Sequence, residues 1–532
     1  MFDFEFYWIK HVTLSKQEDK MKDTQIWNAD LGNGNYRNPI LYTDYSDPDV
    51  VRVGSDYFMV ASSFCNVPAI PVLHSTDLVN WRVVSYVLNK LPSPKYDMPA
   101  HGHGVWAPAI RYHDDKFWVC YPMPDEGIFM STTTDPFGEW SEPFAVREGS
   151  GWIDPCPFWD DDGKAYLVSA FAKSRCGIKS ILNLAEMKWD GTGLINDGRH
   201  IFDGHNTQPT IEGPKLYKRG DYYYILAPAG SVKSGWQTAL RSKNIWGPYE
   251  EKIVMYQGGT PVNGPHQGGL IDTPDGEWWF IHFQDVGVCG RIVHLQPVRW
   301  IDDWPVIGNE TGETCGTPVL NWPKPKTSVA EPYSPANSDD FKGEKLGLQW
   351  QWNANPKPEF YALRQNRLTL FAKPSPKKYC DAPNILLQKF DSPAFSVTTQ
   401  INTENMKCGS IGGLFVLGNR YTALGLERTE TGLELFAITG NRNDDSQQRH
   451  LLQTMKLSGT FYLKFRAEPL DRGFFQTEMR CIFSFGLDGE HFADVFEAEV
   501  TAGRWVGAKH GLFCFGKNGS IDVCDYIVEM QD

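Results

Sequence analysis

Asp47-Pro-Asp-Val-Val, Trp106-Ala-Pro-Ala-Ile, Asp154-Pro-Cys-Pro-Phe, Glu212-Gly-Pro-Lys-Leu and His266-Gln-Gly-Gly-Leu are five versions of one phrase, roughly 50–60 residues apart. Each opens on a polar or aromatic residue and places an apolar one four positions later: Val51, Ile110, Phe158, Leu216 and Leu270. Each then passes a tight polar turn, such as Asp161-Asp-Gly or Pro274-Asp-Gly, into an aromatic-rich strand such as Lys116-Phe-Trp-Val or Tyr222-Tyr-Tyr-Ile-Leu. Turns of that composition join antiparallel strands as hairpins. After three of the pairs a further short strand ends near a tryptophan, at Trp81, Trp140 and Trp246. No segment sustains a 3.6-residue apolar period, so the chain is predicted to be all-β. Repeats of about 50 residues, each of several short strands and present five times, predict a five-bladed β-propeller. A β-sandwich or β-helix array accounts for them less well.

The repeat stops after Ile307. Asn321-Trp-Pro-Lys-Pro-Lys through Glu331-Pro-Tyr-Ser-Pro-Ala is Pro-rich and reads as a stiff linker. Beyond it, runs such as Arg367-Leu-Thr-Leu-Phe-Ala and Phe461-Tyr-Leu-Lys-Phe-Arg alternate with period two, the pattern of an antiparallel sheet with one buried face. The expected organisation is an N-terminal extension (1–36), the propeller (37–320), a linker (321–338) and a concanavalin- or jelly-roll-like β-sandwich (339–532).

The composition narrows the function. Of 532 residues, 65 are acidic and 51 basic, giving a formal charge of −14. Such a chain gains nothing from counterion release, which argues against nucleic acid or an anionic membrane as partner. Nineteen Trp, 22 Tyr and 31 Phe offer flat apolar faces with polar edges, which suit sugar rings. Eleven scattered cysteines include no Cys-x-x-Cys, so neither a zinc site nor a disulfide framework is expected, and reduced thiols in the cytoplasm are. Neither a secretory leader nor an apolar run long enough to span a bilayer is apparent. Oligomeric state is not legible, and a homo-oligomer is compatible with the sequence.

The innermost strands of a propeller all start at the same end of its axis, so the five leading residues should meet at one mouth of the channel. Three of them are carboxylates: Asp47, Asp154 and Glu212. One exposed turn Asp is ordinarily only a turn residue, but three in one register before Pro or Gly-Pro suggest a shared purpose. Three acids in an aromatic-walled pocket suit glycosidic bond hydrolysis, in which one deprotonates water and another protonates the leaving oxygen. Mutual repulsion keeps their proton affinities apart. Base and acid on opposite sides of a channel would leave room for a water, the arrangement of an inverting enzyme.

Tyr45-Ser-Asp-Pro-Asp-Val, Trp106-Ala-Pro, Ile153-Asp-Pro, Ile211-Glu-Gly-Pro and His266-Gln-Gly resemble glycoside hydrolase family 43, and the trailing sandwich resembles that of its β-xylosidase members. The resemblance implies Asp47 as general base, Asp154 as the residue that tunes and orients, and Glu212 as general acid. It also implies that Trp106 and Phe64 wall the sugar pocket, that Arg291 binds sugar hydroxyls, and that His266 sits by a calcium ion or water cluster on the axis. In Gly503-Arg-Trp-Val-Gly, Trp505 is expected to close one end of the pocket. The activity implied is removal of terminal β-D-xylose, and also α-L-arabinofuranose, from short xylo-oligosaccharides or arabinoxylan fragments. No organic cofactor is implied.

Other readings fit less closely. Asp160-Asp-Asp-Gly163 lacks the downstream Glu of a calcium loop and reads as a hairpin turn. His101-Gly-His103 could ligate a metal but reads better as a pocket-rim loop. Invertase-type propellers should show Asn-Asp-Pro-Asn where this chain has Ser46-Asp-Pro-Asp. A carbohydrate-binding propeller without catalysis has no need of three acids aimed at one point. An arabinan- or galactan-directed glycosidase of the same family stands as the nearer alternative.

Overall fold

The computed structural model describes residues 27–311, 315–327, 333–456, 458–470 and 478–531. The expectations for 1–26 and for 328–332 of the linker lie outside the described residues.

Five antiparallel sheets form the propeller, each from four consecutive strands. Blade 1 is Asp49–Val53, Asp56–Val60, Ala69–Ser75 and Arg82–Leu88, and blade 2 is Ala109–His113, Lys116–Met123, Gly127–Thr133 and Phe144–Glu148. Blade 3 is Trp152–Trp159, Ala165–Phe171, Ile181–Met187 and Arg199–Asp203. Blade 4 is Lys215–Arg219, Tyr222–Ala229, Trp236–Ser242 and Glu250–Tyr256, and blade 5 is His266–Asp272, Trp278–Asp285, Arg291–Ile301 and Trp304–Ile307. The outer edge of blade 4 gains the short strands Gly316–Thr317 and Asn309–Glu310.

Packing explains why these strands read as aromatic runs rather than strict alternations. Successive side chains of a strand point to opposite faces, and a blade has a neighbour on each face. In Lys116–Met123, Phe117, Val119 and Tyr121 join an apolar cluster shared with blade 1. Trp118 and Cys120, between them in sequence, join one shared with blade 3. Further clusters fill the seams between blades 3 and 4, 4 and 5, and 5 and 1.

The last seam closes the ring, and here the sequence reading differs from the structure. Asn35–Arg37, at the edge of the expected extension, pairs antiparallel with Asn321–Pro323, expected as linker. Tyr36 Oη and Asn38 Nδ2 both donate to the Leu295 carbonyl of blade 5 at 2.8 Å. Tyr36, Ile40, Leu41 and Tyr45 pack among Trp81 of blade 1 and Trp279, Ile281 and Leu295 of blade 5. Burial of these apolar groups, rather than a strand shared between first and last blades, draws the ends together. Three paired residues carry no period that a sequence reading can detect.

The sandwich consists of two seven-stranded antiparallel sheets facing one another. Its core includes Val286, Val288 and Cys289 from the propeller turn that precedes Arg291. The two units therefore share apolar packing. All eleven cysteines are unpaired. No helix among the described residues is long and apolar enough to cross a membrane.

Candidate active site

A cavity of about 300 Å³ opens at one end of the propeller axis, within the size range of small-molecule sites. Seven of the eight residues chosen from sequence line it: Asp47, Phe64, Trp106, Asp154, Glu212, Arg291 and Trp505. His266, the eighth, stands behind Glu212, its Nε2 3.2 Å from Oε1.

Backbone conformation aims several of these side chains. Asp47, Phe64, Asp154 and Trp505 all have left-handed φ, at 55°, 52°, 53° and 62°. Non-glycine residues rarely adopt this region, at a cost of about 1–3 kcal/mol each, and such strain gathers at functional sites. Asp47 and Asp154 occupy equivalent repeat positions of blades 1 and 3, each directly before a proline, Asp47 just ahead of the inner strand and Asp154 near the start of its own, and the repeated kink brings both carboxylates to one cavity.

The three acids meet different surroundings. Asp47 is clamped: Ser46 Oγ and Ser62 Oγ each donate to Oδ2 at 2.7 Å, and Arg291 Nη1 donates to Oδ1 at 3.1 Å. A carboxylate held by three donors has its lone pairs fixed in direction. Its side chain is 8% exposed, against 39% for Glu212. Glu212 is thus the acid open to an arriving ligand. Asp154 is buried, and its Oδ2 accepts the Gly213 N–H at 2.8 Å, which ties it to the peptide that carries Glu212. Burial, then the neighbouring Glu212 and Asp47 charges, push the Asp154 carboxyl above the ordinary range, while the Gly213 N–H and Lys215 oppose the shift.

The walls are aromatic. Trp106 and Trp505 meet edge to face at 4.9 Å, with Phe64 6.2 Å from Trp106 and 6.4 Å from Trp505. Arg175 lies 4.8 Å above the Trp106 ring. Trp505 comes from the sandwich, on a loop seated against the propeller. Gly507 N–H donates to Asp44 Oδ2 at 2.9 Å, and Ala508 N–H donates to the Val288 carbonyl at 2.7 Å. The other Asp44 oxygen accepts the Arg291 N–H at 2.9 Å. A Cβ on Gly507 would lie 2.8 Å from Gly290 N, so only glycine permits this approach.

Arg291 differs in part from its expected role. One arm of its guanidinium, Nη1, is occupied by Asp47 and by Ser46 Oγ at 2.8 Å. The residue positions the acid on blade 1 as well as lining the cavity.

The calcium expectation finds no support in the donor set. Calcium takes six to eight oxygen ligands. Among the described residues no group of three or more His, Cys, Asp or Glu gathers as metal ligands. His266 directs Nε2 at Glu212, and its buried Nδ1 has no protein partner. The expected ion is one held mostly by waters with His266 as one partner, and these residues add no protein ligand set to it. His101 and His103 likewise serve structure, His101 Nε2 on the Cys380 carbonyl and His103 Nδ1 on Asp125.

Sequence reasoning missed Asp44, Ser46, Ser62 and Arg175. Ser46 lies within the quoted Tyr45-Ser-Asp-Pro motif, Ser62 lies two residues before Phe64, and Asp44 lies three residues before Asp47. Arg175 stands in a loop with the four-residue helix Lys173–Cys176, outside any repeat, and carries no signal of its own.

A five-bladed propeller whose channel mouth gathers a clamped acid, a buried acid and an open acid between tryptophans defines a glycoside hydrolase. Residues 36–305 match Glycosyl hydrolases family 43, and residues 338–526 match the Beta xylosidase C-terminal Concanavalin A-like domain. The chain belongs to glycosyl hydrolase family 43. A Xylanibacter ruminicola protein provisionally named a β-xylosidase is 38% identical over 92% of this chain and 88% of its own length. A Formosa agariphila β-xylosidase is 30% identical over 97% of this chain and 93% of its own length. Among solved structures, the family 43 protein BlXynB of Bacillus licheniformis superposes with a TM-score of 0.80 at 26% identity, covering 93% of this chain and all of that one.

Proposed function

We propose that the protein is an inverting, exo-acting hydrolase that removes terminal β-D-xylose, and also α-L-arabinofuranose, from xylo-oligosaccharides or arabinoxylan fragments. Asp47 takes a proton from the attacking water, Glu212 gives one to the leaving oxygen, and Asp154 orients the Glu212 peptide and sets the local charge. The observation that carries this reading is the contrast between a rigidly clamped Asp47 and an open Glu212 lining one cavity. A base has to hold a water in one direction, whereas an acid has to follow the leaving group. The arm of Arg291 not held by Asp47 suits vicinal sugar hydroxyls. The names of the relatives above support xylosides as substrates. A Bacteroides ovatus relative, 30% identical over 73% of this chain and 75% of its own length, is named a non-reducing end α-L-arabinofuranosidase, which supports the second pentose. Exo action draws on Trp505, which narrows the cavity from the sandwich side. A cytoplasmic setting belongs to the same proposal, and the unpaired cysteines support it.

Proton NMR of the first-formed sugar tests the mechanism. A β-xyloside should release α-xylose first, and initial release of β-xylose would defeat inversion. Products from linear and arabinose-decorated oligosaccharides test substrate and direction of attack. Xylose released one unit at a time is expected, whereas internal cleavage would defeat exo action.

A further inference from the structure

Beside the reaction cavity, where propeller meets sandwich, lies a second open cleft of about 360 Å³. Lys95, Arg442 and Arg504 line it together with His103, and no acid among the described residues does. In a chain of net charge −14 that concentration of cations is out of character. Two nearby acids, Asp125 and Glu126, already have partners. Asp125 bonds Lys95, His103 and Arg175, and Glu126 bonds Lys95 at 2.8 Å. The two sandwich arginines are different. Arg442 donates to the neutral Asn419 Oδ1 at 2.7 Å, and Arg504 lies over the Trp505 ring at 4.4 Å. Among the described residues neither is ion-paired. Burial is the largest influence lowering the proton affinity of Arg442, Cys380 and Cys65 oppose it, and the Arg504 charge adds to it while Asp381 opposes it. Two guanidiniums without a salt-bridge partner on one cleft give it a positive potential that favours an anion.

The cleft also has a built wall and adjoins the sugar site. Gly102 has φ +77°, and a Cβ there would meet Arg504 Cδ at 2.8 Å, so this glycine leaves room for the arginine stem. Arg504 is the chain neighbour of Trp505, and Arg175, which covers Trp106, approaches the Gly102 carbonyl at 3.5 Å. The aromatic pair that walls the sugar site thus separates the two spaces.

We infer that this cleft is a subsite for a carboxylate carried on the substrate, namely a uronic acid substituent of the oligosaccharide. The inference rests on the xylosidase reading and deepens it. The planar fork of Arg442 suits a carboxylate bidentately, and Arg504 and Lys95 add charge around it. The protein would then prefer acid-decorated xylo-oligosaccharides to neutral ones of equal length.

The test compares kcat/KM on a glucuronosyl-bearing xylo-oligosaccharide and a neutral one of the same length. The wild-type protein should favour the acidic substrate at low salt, and about 0.5 M salt should erase the preference. Arg442→Gln should lose about tenfold on the acidic substrate and change the neutral one less than about twofold, with partial rescue by Arg442→Lys. Equal kcat/KM on both substrates at low salt overturns the inference, as does an equal loss on both in Arg442→Gln. Free glucuronate or inorganic phosphate binding as tightly as the acidic oligosaccharide would reveal a free-anion site and also overturn it. Turnover of neither substrate would instead defeat the xylosidase reading. Calorimetry of the two oligosaccharides on Glu212→Gln then still decides the cleft, because it does not depend on catalysis.

Discussion

In the propeller, the three acids reach the cavity from equivalent points of repeated blades, at or near the start of the inner strands. Among the described residues of the sandwich, Trp505 alone lines the cavity, from the loop between Thr501 and Lys509. The difference is one of chemistry against selection. The repeat offers several acids a common focus, and the loop offers a wall that can differ without disturbing that focus. Asp44 joins the two, with one oxygen on the Arg291 backbone and the other on Gly507.

If that division holds, damage should differ in kind between the two units. The largest effect belongs to the propeller. Asp47→Ala should lower kcat by about 10³–10⁴-fold on every glycoside, measured by pentose release, with the fold preserved by circular dichroism. A loss below about tenfold would remove Asp47 from the reaction. The sandwich should answer more mildly and more selectively. Trp505→Ala should reduce kcat/KM by about tenfold, mostly through KM, and should relax the requirement for a chain end. Because that side chain is 37% exposed, the melting temperature should stay within about 2 °C. A fall confined to kcat would give the loop a share in the chemistry and break the comparison.

The smallest effect concerns stability. The Asp154 carboxyl is raised in the folded protein by burial and by its two acidic neighbours. The folded state therefore keeps a proton that the unfolded chain releases, and stability present below the ordinary Asp range is lost as pH climbs to the raised value. Asp154→Asn removes that loss and can still accept the Gly213 N–H. It should therefore melt about 2–4 °C higher than the parent at pH 8, with no advantage at pH 4, while losing activity. An advantage independent of pH would assign the gain to packing instead of charge.

Much of this was legible in the chain because repetition multiplies weak signals. A single Asp-Pro pair carries little information, but Asp47-Pro and Asp154-Pro at equivalent repeat positions, with Glu212-Gly-Pro a third, point at one axis. Trp505 was reachable only through likeness to a family, since a lone loop has no internal standard. Arg175, Asp44 and the Arg442–Arg504 cleft arise from contacts between segments far apart in sequence, which no local pattern encodes. Arg291 looked like a residue for sugar hydroxyls, and its grip on Asp47 became visible only once blade 5 was set beside blade 1. The pairing of Asn35–Arg37 with Asn321–Pro323 escaped for the same reason.

That last pairing bears on how the molecule can be cut and recombined. A chimaera that exchanges the C-terminal unit at the outer end of the fifth blade would discard the stitch that fastens the ring. The workable splice lies past Pro323, so that whatever is grafted on, the wheel keeps its own rivet.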